Sequence, residues 1–155
     1  MRIEARIALA VVVVLLCVLW QYSSNRRHEQ AAIAAIKSIA KAQTLCLAAR
    51  DSYAPNLDEL TRQKPGQTPL LAATWKDHAP GFRFDCAGTK PAPQEPSSGF
   101  FQHDRYESYE CYEAWAVPEK PGWLGPRAFF IDCSGVIRVN AKGAAPSASD
   151  PPLPR

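Results

Sequence analysis

Residues 7–20, IALAVVVVLLCVLW, carry no charged or polar side chain. As a helix this run is roughly 21 Å long, at 1.5 Å per residue. A full membrane crossing takes about 20 residues. Trp20, Tyr22 and the polar residues up to Ser24 carry the segment to headgroup depth. Three readings compete: a retained anchor, a cleaved signal peptide, and a lipoprotein modified at Cys17. The basic start, with Arg2 and Arg6, and the short apolar run suit a signal peptide. The stretch LWQYSSNRR offers a poor cleavage site, and Leu16 is the wrong residue before a lipidated cysteine. The uncleaved anchor is therefore the expectation. Arginines flank the segment on both sides, so charge does not orient it.

The cysteines bear on orientation. Cys17 lies inside the apolar run, which leaves Cys46, Cys86, Cys111 and Cys133 for the rest of the chain. An even number in a small domain suggests two disulfides and an oxidising compartment. No C-x-x-C occurs, which argues against zinc. Four reduced thiols in a cytoplasmic domain are the competing reading. The expectation is a single-pass protein of a bacterial inner membrane, with its C-terminal domain periplasmic or extracellular.

Residues 29–50 are alanine-rich and hold no proline or glycine. Ile33, Ile36, Ala40, Gln43 and Leu47 recur at spacings of three and four, with Ile39 and Cys46 beside them. Nothing between residues 7 and 53 breaks a helix, so the simplest prediction is one helix of about 45 residues. The alternative is two helices with a bend near Ser23 and Ser24. Pro55 closes the helix, and NLDEL follows as a short turn capped by Asn56.

Alternation predicts strands at 81–86, 109–117 and 127–132, and a return strand at 136–141 after Ser134-Gly135. Phe82, Phe84 and Cys86 share one face. Tyr109, Cys111, Trp115 and Val117 share another, with Glu113 a blemish among them. Phe129 and Ile131 point together, with Cys133 next in phase. Cysteines in the apolar phase suggest staples between helix and sheet. Of the three possible pairings, Cys86–Cys111 with Cys46–Cys133 is the expected one. The expected class is α+β: a long N-terminal helix, half in the membrane and half amphipathic, packed on a small antiparallel sheet. Residues 1–24 form the anchor, 25–142 the domain, and 143–155 a disordered proline-rich tail. Ile33, Ile36, Leu47, Phe129 and Ile131 are the expected helix–sheet contacts.

Signs of chemistry are sparse. The net charge of +3 is too small to imply a nucleic-acid partner. Phosphate-loop, nucleophile-elbow and zinc-protease motifs are missing from the sequence. His103, Asp104, Glu107 and Glu110 group around the second strand and suggest a weak calcium site, but a solvated loop explains them better. Cys111 with His103 would make a nucleophile and base, but a disulfide is the better account of that cysteine. Asp132 fits a turn-capping role. Tyr106, Tyr109, Tyr112, Trp115 and Trp123 supply core, with a minority left for a partner surface. The expectation is a protein with no catalytic residues, no metal, no cofactor and no evident small-molecule substrate.

The order of these parts resembles the type IV pilins and type II secretion pseudopilins. AAIAAIKSIAKAQ is similar to the AI..I..AQ helix of a bacterial pilin-like group, and YAPNLDEL to its YA.NL..L segment. GFRF is similar to its GY.F strand. YEAWAVPEKPGWLGPRAFFIDCSGVIR is similar to its A.P...G..G.R.F..D..G.IR ending, the most specific of these matches. The resemblance implies a structural subunit of a type IV pilus or a secretion-like assembly. Its partners would be the cytoplasmic membrane, other pilin-like subunits and assembly proteins. Glu4 would stand for the pilin glutamate that acts in assembly. Pilin precursors carry a glycine at the cleavage point before that glutamate, whereas the first glycine here is Gly66. An anchored interaction module that builds no filament is the alternative.

Overall fold

The computed structural model describes residues 3–62, 68–72, 75, 79–91, 108–121 and 125–154, and within them the side chains of all but 3–6, 8, 90 and 91. His78, His103, Asp104, Tyr106, Glu107 and Trp123 lie outside the described residues, as does the side chain of Glu4.

One helix dominates the molecule. α1 runs uninterrupted over Ile3–Arg50, about 72 Å at 1.5 Å per residue. Alanines and straight-chain residues favour it, and no proline or glycine interrupts it. Asp51 ends it in the left-handed conformation (φ 54°), its N–H donating to the Leu47 carbonyl at 2.8 Å. The helix thus stops four residues before Pro55. A short polar residue accepts this backbone better than most side chains do. α2, Leu57–Thr61, follows with Asn56 as its N-cap, accepting from the Glu59 N–H at 3.0 Å.

Four strands form an antiparallel meander in chain order: β1 (Phe82–Pro91), β2 (Tyr109–Pro118), β3 (Ala128–Asp132) and β4 (Arg138–Asn140). The molecule is therefore α+β, a long N-terminal helix packed on a small antiparallel sheet. Register aligns Phe84, Ala116, Phe129 and Val139 across all four strands, and Cys86, Ala114 and Ile131 across three. These rows line the core with the second half of α1. The turn after β3 is tied by Asp132, which accepts from the Ser134 N–H at 2.9 Å and from the Ser134 hydroxyl. Gly135 there takes φ 73°, a conformation that favours glycine.

The buried stripe of α1 differs from the predicted one. It consists of Glu29, Ala32, Ala35, Ile36, Ile39, Ala42, Gln43 and Cys46. Ile33 is half-buried at the margin of the core, and Leu47 is half-buried beyond it. Ile39 and Cys46, predicted as flankers, lie inside. The contact face follows alanines that let helix and sheet approach, and large side chains sit where there is room.

The same cause inverts the predicted phase of β2. Tyr112, Ala114 and Ala116 face the helix, while Cys111, Glu113, Trp115 and Val117 share the opposite face. Ala114 and Ala116 are both fully buried. Glu113 is in phase with Trp115 because that face is not the helix contact.

The predicted disulfide pairing is likewise replaced. Cys111 bonds to Cys133, with Cα atoms 5.3 Å apart. The register places Glu113 opposite Asp132, so the two cysteines meet where β2 and β3 part. Cys86 opposes Ala114, on the other face from Cys111, which forbids Cys86–Cys111. With Cys133 taken, Cys46–Cys133 does not form, and Cys46 and Cys86 remain buried thiols.

The C-terminal segment is ordered against β4, contrary to the disordered tail predicted for 143–155. Val139 N–H donates to the Pro151 carbonyl at 2.9 Å, and Leu153 N–H to the Ile137 carbonyl at 2.7 Å. Leu153 packs against the core. Prolines suit such an edge, because they present carbonyls without needing to donate.

Candidate functional site

Among the described residues, two features are available for function: the unburied half of α1 and the base of the domain beside it. Val11 to Leu16, Val18, Leu19 and Trp20 are exposed, Trp20 by 73%. Among the described residues, no other element covers them. A water-soluble domain does not leave so long an apolar surface bare. α1 is long and apolar enough to be a candidate membrane span.

Where the helix meets the sheet, Glu29 is 8% exposed and holds Arg127 in a fork. One carboxylate oxygen accepts from the Arg127 backbone N–H at 2.8 Å and from Nε at 3.1 Å. The other accepts from Nε at 3.1 Å and Nη2 at 2.8 Å. Two parallel N–H···O contacts of this kind fix geometry as well as charge. The hydrogen bonds to Glu29 raise the Arg127 pKa further above its already high value. The guanidinium also lies 5.9 Å from the Phe129 ring centre. The pair thus locks the exit of the apolar segment to the first residues of β3. Neither residue stood out in the sequence, since Glu29 reads as one more solvent charge on an alanine-rich helix.

A second polar device lies deeper. Gln43 is fully buried. Its amide accepts from the Ala54 N–H at 2.7 Å and donates to the Ala54 carbonyl at 3.1 Å, pairing with that backbone as a strand would. It also donates to the Cys86 sulfur at 3.0 Å. Burial pushes the Cys86 thiol up to about 11, against the lowering effect of that hydrogen bond, so it stays protonated at neutral pH. A thiol in that state is a poor nucleophile. Gln43 belongs to the predicted stripe, but its partner across the turn has no sequence signal.

Most predicted site residues have packing roles. Ile36, Phe129 and Ile131 form the centre of the helix–sheet contact. Cys111 and Cys133 close one disulfide. Tyr112 packs on Tyr53, ring centres 5.0 Å apart, and burial raises its hydroxyl pKa. Among the described residues, no three His, Cys, Asp or Glu side chains gather as metal ligands.

Two clefts open at the base of the domain. One, of about 500 Å³, lies between residues 18–29 of α1 and the segments around Arg127 and Ala141. The other, about 360 Å³, lies beside Gln21 and His28 and reaches Gly81 and Lys120.

Comparison of the chain with family models, with curated proteins and with solved structures finds no match in any of the three.

Proposed function

We propose that this chain is a membrane-anchored, pilin-like structural subunit, of the pseudopilin kind, for a type IV pilus or type II secretion-like assembly. The observation that carries the reading is the single helix Ile3–Arg50, bare and apolar in its first half and built into the sheet core in its second. Such a helix has two functions. It holds the domain at the inner membrane, and it offers an apolar surface for the same helix of another copy, where small and β-branched residues allow close packing. The disulfide is in keeping with a periplasmic or extracellular domain. Glu4, carried over from the resemblance to pilins, is assigned to assembly.

The test uses Cys17, an exposed thiol of the apolar segment. Oxidative cross-linking in native membranes is expected to give disulfide-joined copies. Glu4→Ala is expected to lower their yield while leaving membrane insertion intact. Monomer alone, at every level of expression, contradicts the reading and leaves an anchored module that does not assemble.

A further inference from the structure

We propose that the base of the domain binds an anionic phospholipid in the cleft between α1 and the Arg127 segment. This goes beyond the assembly reading and rests only on α1 crossing a bilayer.

The cleft is ordered in polarity along the helix. Val18 and Leu19 line its lower end, Gln21, Tyr22 and Asn25 its middle, and Arg26 and Glu29 its upper end, with Arg127 opposite and paired to Glu29. These helix positions recur at three- and four-residue steps, so they form one face. Leu19 and Arg26 are seven residues apart, or about 10 Å along the axis. A phospholipid at the membrane surface has the same order over a similar length: acyl ester, glycerol, phosphate. The Arg26 guanidinium sits 5.2 Å from the Tyr22 ring centre, held at interfacial height.

Charge selects the headgroup. Among the described residues, Arg26, Lys120 and Arg127 line the two clefts of the base, against Glu29 and Glu119. The Glu29 oxygens already accept from Arg127. Arg26 makes no ion pair among the described residues. Among the described residues the end of α1 has the opposite balance: Asp51, Asp58 and Glu59 stand with Arg50 and Arg62, both of which bridge to Glu59. A molecule polarised this way presents its cationic end to the membrane plane, where anionic lipid attracts lysine and arginine. The partner is therefore a phosphatidylglycerol-like lipid rather than a zwitterionic one.

The experiment is native mass spectrometry of the full chain released from nanodiscs of phosphatidylcholine mixed with phosphatidylglycerol. Retained phosphatidylglycerol is expected in excess of its share of the bilayer. Arg26→Gln should cut that excess about fivefold and Arg26→Gln with Lys120→Gln further, at about one such factor per charge. Arg62→Gln, past the end of α1, should leave it unchanged. Retention that follows bilayer composition, or that survives both substitutions, overturns the proposal. So does loss of the lipid to equimolar inorganic phosphate, since the apolar end of the cleft would then contribute nothing. A chain that does not enter nanodiscs at all refutes the membrane span itself. A chain that enters and binds lipid but does not cross-link through Cys17 refutes assembly alone.

Discussion

Glu29 and Arg127 show how much one buried charge can fix. Truncating the arginine strands a carboxylate that is nearly shielded from water, which is the costly direction. Arg127→Ala is therefore expected to lower stability by about 2 kcal/mol, reduced from the full buried-pair value because the guanidinium is partly exposed. Glu29→Gln keeps an oxygen for the Arg127 N–H and should cost about half as much. Denaturant unfolding of the full chain in detergent would rank the two, and the reverse order would contradict this account of the lock. Cys86 makes a pH-dependent prediction. Its folded pKa of about 11 exceeds the ordinary thiol value of 9.0, so folding favours the protonated form. That contribution is whole below pH 9 and disappears as pH rises to about 11. It amounts to about 3 kcal/mol at most. The Tyr112 hydroxyl, also raised, extends the loss to higher pH. Stability of the full chain should fall across this window, and Cys86→Ala should remove part of the slope. A slope unchanged in that variant would show that Cys86 is ionisable without cost.

Elements were legible in the sequence to different degrees. The helix, the cap at Asn56, the four strands and the turn at Asp132 follow from composition and periodicity alone. Which face of each element is buried does not follow so simply. In β2 the larger side chains, Trp115 and Tyr109, suggested the core, but the helix needs Ala114 and Ala116 beneath it. Glu113 was the available clue, since a carboxylate in phase with Trp115 marks that face as the outer one. In α1 the isoleucines attracted the prediction toward Ile33, while Ala32 and Ala35 make the contact. A close helix–sheet contact is thus set by small residues, which carry little hydrophobic signal. This has a measurable consequence. Ala116→Leu inserts three carbons between Phe84 and Phe129, its register partners. It should destabilise the domain by about 1–3 kcal/mol through overpacking. Trp115→Leu, on the outer face, should cost less, and equal losses in thermal unfolding would contradict the assigned phase.

At the scale of the whole molecule, one helix carries two different surfaces. Its first half has no partner among the described residues, and its second half is the inner layer of the domain. The disulfide, the Gln43 pairing and the docked C-terminal segment stabilise the domain away from the apolar half of α1, while Glu29 and Arg127 tie it at the base. The candidate site was the least legible part of the sequence, because the Glu29 lock and the clefts depend on residues 98 apart meeting at one level of the helix. The cysteine pairing was hidden for the same reason, since it turns on strand register. The central claim is that the apolar half of α1 stays joined to a disulfide-bonded domain. Intact-mass measurement of protein extracted from native membranes, before and after reduction, tests it most directly. The account predicts a chain that retains residues 7–24 and gains the two hydrogens of a single cleaved Cys111–Cys133 bond. A soluble form cut near Ser24, or a mass unchanged by reduction, would contradict it.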